Sequence, residues 1–464
     1  MTASIHETSD AQLQRETMST VIRKISPFVG LLFFVAFLDR VNVSFAALTM
    51  KTDLALSDVA YGTGAGLFFI GYFLAEIPSN MMLERFGARR WLARIMISWG
   101  LVSVAMAFVQ GEVSFYALRF LLGLGEAGFY PGLMLYFTYW FPVQYRARVI
   151  GFLMFAIPIA SFVGAPLSTA IMSLFDGSHG MPGWRWLFVI EGLPAVILGF
   201  VTMRYLADNP LKARWLREDQ KSWLVNKLKG ERLLAKAHAK GGWFQAISNP
   251  KVLCVVLILA LNGLATNGVN FWLPQLVKSF GLSTFQTGLV ASIPYGCAGV
   301  VVVLWGLHSD LKRERVWHYA IAGWVAAAGL FIAGLTLNQP VLNIAALTLA
   351  VIGVNATQPA FWTMTGLVLA GTNAAAVGFA FVNSLGNLTG YVGPVLVGWL
   401  KQSTGSFGTA LLVLGCTTVV MGALPFTLRR YIVEQERSND ALAQETAQAL
   451  DETSTVSGKT RVSV

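Results

Sequence analysis

Apolar runs about the length of a bilayer crossing recur twelve times along this 464-residue chain, and they limit what it can fold into. They lie near 26–49, 61–83, 91–109, 113–139, 148–173, 186–207, 251–273, 286–307, 317–337, 341–369, 377–399 and 406–428. A hydrocarbon core about 30 Å thick needs about 20 mostly apolar residues per helical crossing. No water is available inside it to satisfy the backbone, so a chain crosses only as helices or as a closed barrel. A barrel would show short alternating segments in place of these long continuous runs. Composition agrees, with 55% hydrophobic and only 12% charged residues, where a soluble domain carries about 25% charged. The pattern predicts an all-α polytopic membrane protein with twelve transmembrane helices.

A net charge of +10 raises the question of a nucleic-acid partner. Its distribution answers it. With both termini in the cytoplasm, only Lys51, Arg185, Lys278 and Lys401 fall on the opposite side, and Arg40 and Arg119 fall within spans. All other Lys and Arg are cytoplasmic, which is the positive-inside bias. The basicity therefore calls for a lipid bilayer and no nucleic acid. The first 25 residues are polar and lead into a full-length span with no small-residue cleavage site, so no cleaved signal peptide is expected. The three cysteines, Cys254, Cys297 and Cys416, lie scattered in apolar runs without metal-ligand spacing and read as small buried residues. His6, His179, His238, His308 and His318 fall in tails, loops or span edges. Neither a histidine proton relay nor a metal site is expected.

The chain divides into a tail (1–25), a six-run half (26–207), a polar central loop (208–250), a second six-run half (251–428) and a C-terminal tail (429–464). Asp208-Asn209-Pro210 stops a helix. Trp215, Leu216, Trp223, Leu224 and Leu228 then recur at helical spacing among charges, which suggests an amphipathic helix on the cytoplasmic membrane face. The halves echo each other. LERFGARR (Leu83 to Arg90) follows the second run and GLHSDLKRER (Gly306 to Arg315) the eighth. Each sets an acid, Glu84 or Asp310, beside clustered bases: Arg85, Arg89 and Arg90 in one, Arg313 in the other. Bases alone are ordinary on short cytoplasmic loops. The added acid points to an ion-paired latch that holds one conformation. Repeats of this kind mark secondary transporters, whose substrate site lies at the midplane between the halves.

Few ionisable residues lie deep in the runs: Asp39, Arg40, Arg119 and Glu126, and less deeply Glu76 and Glu191. A charge at the centre of a membrane helix costs roughly 2.5–3.5 kcal/mol on insertion scales, and such residues usually mark a substrate or ion pathway. Arg119 and Glu126 are two helical turns apart and share a face, with Gly123 between them to admit a close neighbour. The simplest arrangement sets two guanidiniums and two carboxylates around one cavity. Arg stays protonated and offers a planar fork that fits a carboxylate. A carboxyl group out of water can exchange its proton near neutrality. A substrate carboxylate would then compete with Asp39 or Glu126 for an arginine, coupling anion uptake to protons. The alternative is a set of permanent structural ion pairs. Around these charges, Tyr72, Asn267, Asn270, Gln358, Trp362, Asn383 and Asn387 are candidate readers of a substrate, though lone aromatic residues in spans more often pack.

FLDRVNVSFAALTM, IPSNMMLERFGARRW, RFLLGLGEAGFYPG, GWRWLFVIEGLPA and GLHSDLKRER together resemble the anion:cation symporter family of the major facilitator superfamily, a fold of two six-helix halves. The likeness runs from the first span to the last. It implies proton handling by Asp39 and Glu126 and carboxylate binding by Arg40 and Arg119. It also matches Tyr72, Trp362 and Asn383 to family positions. Relatives carry galactonate, glucarate, tartrate, phthalate, 4-hydroxyphenylacetate and similar acids. Two departures favour a less polar acid: Phe37 stands where sugar-acid carriers often have Tyr, and FAIPIASF lacks the amide some of them place there. The expectation is a monomeric bacterial inner-membrane importer of a small organic carboxylate, driven by protons and needing no cofactor. An organic-anion exporter or antiporter is the alternative; a polytopic membrane enzyme or a receptor is disfavoured.

Overall fold

Residues 2–238, 249–370, 375–438 and 441 are described by the structure, a computed structural model. The regular structure among them is helical throughout. The first half holds α1 (Thr2–Asp53), α2 (Asp58–Phe86), α3 (Ala88–Ala105), α4 (Glu112–Glu126), α5 (Phe129–Trp140), α6 (Val143–Leu174) and α7 (Gly183–Tyr205). After α8 (Glu218–His238) come α9 (Pro250–Lys278), α10 (Thr284–Lys312), α11 (Val316–Leu335), α12 (Pro340–Ala370), α13 (Ala375–Thr404) and α14 (Phe407–Ala423). Eleven helical segments, with α4 and α5 counted as one, are long and apolar enough to cross a membrane. The run expected at 377–399 lies in α13, a continuous 30-residue helix. Together they make the twelve-helix bundle that the apolar runs predicted.

Two elements differ from expectation. The polar residues before position 26 do not form a separate tail, because α1 runs unbroken from Thr2. Met18, Val21 and Ile25 are buried, so one helical face of that polar stretch is apolar and packed. The fourth run, read as one span, is broken between α4 and α5, where Ala127 is extended and Gly128 is left-handed with φ +83°.

The central segment is also placed differently. Leu216, Leu224 and Leu228 are buried, and Trp215 stacks on Trp140 with ring centroids 5.3 Å apart. Arg146 pairs with Glu231 at 3.3 Å and Arg217 with Glu16 at 3.1 Å. The apolar side of α8 is thus covered by the first half of the protein and does not lie on lipid as the sequence suggested. Residues 239–248 of the central loop, and all of the C-terminal tail beyond 438 except 441, lie outside the described residues.

The halves meet along two long contacts, α2 with α13 and α6 with α10, supplemented by α1 against α9. The bundle has one end that carries the termini and the basic loops, and a far end where α1, α9 and α13 finish. Polar contacts between the halves gather at the far end. Lys401 donates to Asp58 Oδ1 at 3.0 Å, and Lys51, itself paired with Asp58, donates to Gln275 Oε1 at 3.1 Å. Val59 N–H reaches Gln402 Oε1 at 3.0 Å, and the Tyr61 hydroxyl donates to the Phe271 carbonyl at 2.9 Å.

Candidate functional site

The helix break builds the centre of the site. Glu126 is the last residue of α4, and Gly128 turns the chain into α5. Only glycine fits there: its positive φ disfavours any side chain, and a Cβ would lie 2.3 Å from Ser79 Oγ. Upstream, Gly123 lets α4 lie against α2 so closely that a Cβ would fall 2.0 Å from the Phe68 carbonyl oxygen. Irregular backbone at this depth is tolerated only inside protein or along a cavity. It leaves the carboxylate of Glu126 at a helix C-terminus, where the partial negative charge of the helix favours a cation.

That cation is Arg40. Its Nη2 pairs with Glu126 Oε1, and its guanidinium lies over the rings of Phe37, Phe68 and Tyr72, with 5.2, 5.4 and 5.6 Å to the centroids. The Arg40 side chain keeps 26% of its surface exposed, whereas Glu126 keeps 2%. Arg40 Nε and Glu126 Oε2 make no hydrogen bond among the described residues. A partly open guanidinium with a spare donor, framed by aromatic faces, can accept a second carboxylate.

The other two charges of the expected cavity point elsewhere. Asp39 is fully buried and turned toward α3, where it accepts from Trp99 Nε1 at 2.7 Å and from the Ser103 hydroxyl, and from Asn42 Nδ2 of its own helix at 3.0 Å. Arg119 is fully buried as well, donating to the α2 carbonyls of Gly64 at 3.4 Å and Ala65 at 3.0 Å, over the ring of Phe68. The ring of four charges resolves into one half-open ion pair and two interior groups. Adjacent residues on a helix diverge by about 100°, so Asp39 and Arg40 cannot both face one cavity.

Glu76, read as only moderately deep, has a larger part than the sequence suggested. It is buried on α2 and accepts from Asn383 Nδ2 at 3.2 Å and from Ser384 Oγ at 3.1 Å, both on α13. This is a polar bridge between the halves, away from the far end. The sequence signal for Ser384 was weak, since a lone serine in a span is unremarkable. In the second half, Gln358 donates to Asn262 Oδ1 at 2.9 Å, and Asn262 donates to Thr357 at 2.8 Å. Asn262 is a buried member of this network that sequence reading did not single out. Asn270 accepts from the Tyr295 hydroxyl at 3.1 Å. Asn267 satisfies itself on its own helix, donating to Gly263 O at 2.8 Å. Trp362 lies parallel to Phe379, with centroids 6.5 Å apart, and is 37% exposed. Asn387 is half-buried, four residues along α13 from Asn383.

The two loops at the termini end differ in their pairing. Glu84, Arg85 and Arg90 are exposed. Asp208 organises the first loop by accepting from the Arg89 backbone N–H at 3.1 Å beside Gly87. In the second, Asp310 pairs with Arg315 at 2.6 Å, and Arg313 caps α10 in a left-handed conformation at φ 49°.

Comparison with known proteins agrees with this architecture. The model of the Major Facilitator Superfamily matches residues 29–391. A protein of Agrobacterium vitis named "Putative tartrate transporter" is 46% identical, over 91% of this chain and 96% of its own. The "Quinolone resistance transporter" of Acinetobacter baumannii is 41% identical, over 86% of this chain and 92% of its own. "Inner membrane transport protein RhmT" of Escherichia coli is 36% identical, over 88% and 94%. In fold, a partially occluded inward-open structure of the xylose transporter XylE from E. coli superimposes with a TM-score of 0.71 at 16% identity, covering 88% of this chain and 97% of that one. With sequence and fold in agreement along nearly its whole length, this chain belongs to the Major Facilitator Superfamily and is a multi-pass membrane transporter of a small molecule, not an enzyme.

Proposed function

We propose that the chain is an anion:cation symporter that imports a small organic carboxylate together with protons across the bacterial inner membrane, with both termini in the cytoplasm. The observation that carries this reading is Arg40: a half-open guanidinium, paired with Glu126 at a helix break and framed by aromatic rings. A substrate carboxylate displaces Glu126 from Arg40, and a proton taken up by Glu126 removes the competing charge. The two ligands thus help each other bind, which is reciprocal coupling. Asp39 supports the site from behind, by holding α1 to α3 through Trp99 and Ser103. The Glu76–Asn383 bridge between the halves and, from the second half, the polar residues Gln358 and Asn270 complete the substrate's surroundings. The contacts that close the far end fit a conformation open toward the cytoplasm. In the opposite conformation the Glu84 and Asp310 loops, with their arginines, act as the latch.

Tartrate is the first acid to test, because relatives at 46% and 45% identity carry it in their names. Purified protein in proteoliposomes should accumulate labelled tartrate when the outside is acidic, and a protonophore should abolish the accumulation. Concentrative uptake that persists in sodium-free buffer with the gradient collapsed would overturn proton symport. A second reading, export, is favoured by the relative named for quinolone resistance. Expression in a drug-sensitive strain separates the two: raised quinolone tolerance without organic-acid uptake would favour the exporter.

A further inference from the structure

The four basic residues that break the positive-inside pattern are not scattered. Three of them, Lys51, Lys278 and Lys401, line one cavity of about 380 Å³ at the far end, together with Thr52, Gln275 and Ser279. No Asp or Glu contributes to its lining. The volume lies within the range of small-molecule pockets, about 300–1,000 Å³. The lysines come from the ends of α1, α9 and α13, and so from both halves of the protein.

The ammonium groups have few anionic partners. A single carboxylate oxygen, Asp58 Oδ1, serves both Lys51 and Lys401. Lys51 adds Gln275 Oε1, and among the described residues Lys278 reaches only the Thr284 hydroxyl, at 3.4 Å. Aromatic faces take up part of the remaining charge, with Lys401 4.4 Å from the Phe407 ring centroid and Lys51 5.3 Å from that of Trp272. Each helix C-terminus adds about half a negative charge, yet these ammonium groups bond side chains of neighbouring helices and not their own terminal carbonyls. When the halves part at this end, Lys401 leaves Asp58, which stays with Lys51 in the first half.

We propose that this cavity is an external capture site for a small dicarboxylate, bound by Lys51, Lys278 and Lys401 with hydrogen bonds from Gln275 and Ser279. The site rests on the carboxylate-import reading above and on the far end facing outward. Its occupant competes with Asp58 for Lys401 and spans the two halves, since Lys51 belongs to the first and Lys278 and Lys401 to the second. A positive cavity also raises the local concentration of anions and their rate of arrival, increasingly so as ionic strength falls.

The test needs no transport. Thr52 lines the cavity and is exposed, so Thr52→Cys leaves the packing intact. It is built with Cys254, Cys297 and Cys416 replaced by Ser, and purified into phosphatidylcholine vesicles. An anionic methanethiosulfonate should modify it about tenfold faster than an uncharged one at low ionic strength, and salt should erase the difference. Tartrate or succinate at fixed ionic strength should slow modification, uncharged erythritol should not, and Lys278→Gln or Lys401→Gln should remove the protection. Equal rates for the two reagents, or no protection by either acid, would overturn the site. Protection by added phosphatidylglycerol but not by the acids would make it a lipid-headgroup site and overturn capture of a soluble anion. Labelling of intact cells by an impermeant reagent should succeed; labelling confined to inverted vesicles would overturn the outward placement. Because these measurements read binding on purified protein, their failure is distinct from a failure of tartrate transport.

Discussion

Asp39 and Arg40 are adjacent on α1 yet serve different parts of the molecule. Arg40 reaches the half-open pair with Glu126, while Asp39 is buried among Trp99, Ser103 and Asn42. Substitutions at the two positions should therefore fail in different ways.

Arg40→Lys keeps a positive charge but loses the planar fork, so transport should fall steeply while the melting temperature stays near wild type. Arg119→Lys should behave oppositely. Its guanidinium ties α4 to the α2 carbonyls of Gly64 and Ala65 in a fully buried setting. Losing a buried hydrogen bond costs about 1–3 kcal/mol, so reduced thermal stability should precede any transport defect. Thermal shift beside uptake on both purified variants checks this, and equal stability of the two would contradict it.

Glu126→Gln replaces the partner of Arg40 with a neutral amide of the same shape. Counterflow exchange should persist while proton-driven accumulation disappears. Asp39→Asn turns an amide toward the Trp99, Ser103 and Asn42 donors, so its main effect should be lower yield of folded protein. If Glu126→Gln loses exchange and folding together, the pair is structural and the proton reading fails.

Gly128→Ala should be poorly tolerated. The left-handed backbone costs an L-residue about 1–2 kcal/mol, and the new Cβ would meet Ser79. Gly151→Ala, on α6 with nothing within 4 Å of its Cβ, is the matched control and should be neutral or slightly stabilising. Comparable melting temperatures for the two variants would argue against a helix break held by Gly128.

Glu76→Ala removes the acceptor shared by Asn383 and Ser384. One or two kcal/mol lost from a contact between the halves shifts their equilibrium roughly 5- to 30-fold. Turnover should change by a comparable factor with little loss of fold. Unchanged turnover and unchanged accessibility of cytoplasmic-side cysteines would show that the bridge has no part in the cycle.

The membrane class and the number of crossings were legible in the residue order, and so was the presence of charge deep in the spans at Arg40 and Glu126, because bilayer thickness and the cost of intramembrane charge act on local stretches of chain. Sequence could not decide where each charged side chain points. Asp39 and Arg40 share a motif, and only the contacts of Asp39 with Trp99 and Ser103 of α3 and of Arg40 with Glu126 of α4 separate them. The break at Ala127–Gly128 was equally hidden, since the close approach of Ser79 that leaves no room for a side chain at Gly128 comes from another helix. The same holds for the central segment: its periodicity announced an apolar face, but Trp215 stacks on Trp140, and Leu224 and Leu228 of α8, which packs on α1 and α5, are buried. Periodicity and composition report what a segment must bury. Which surface buries it, and which charges are left half-open, is set by contacts between residues far apart in the chain.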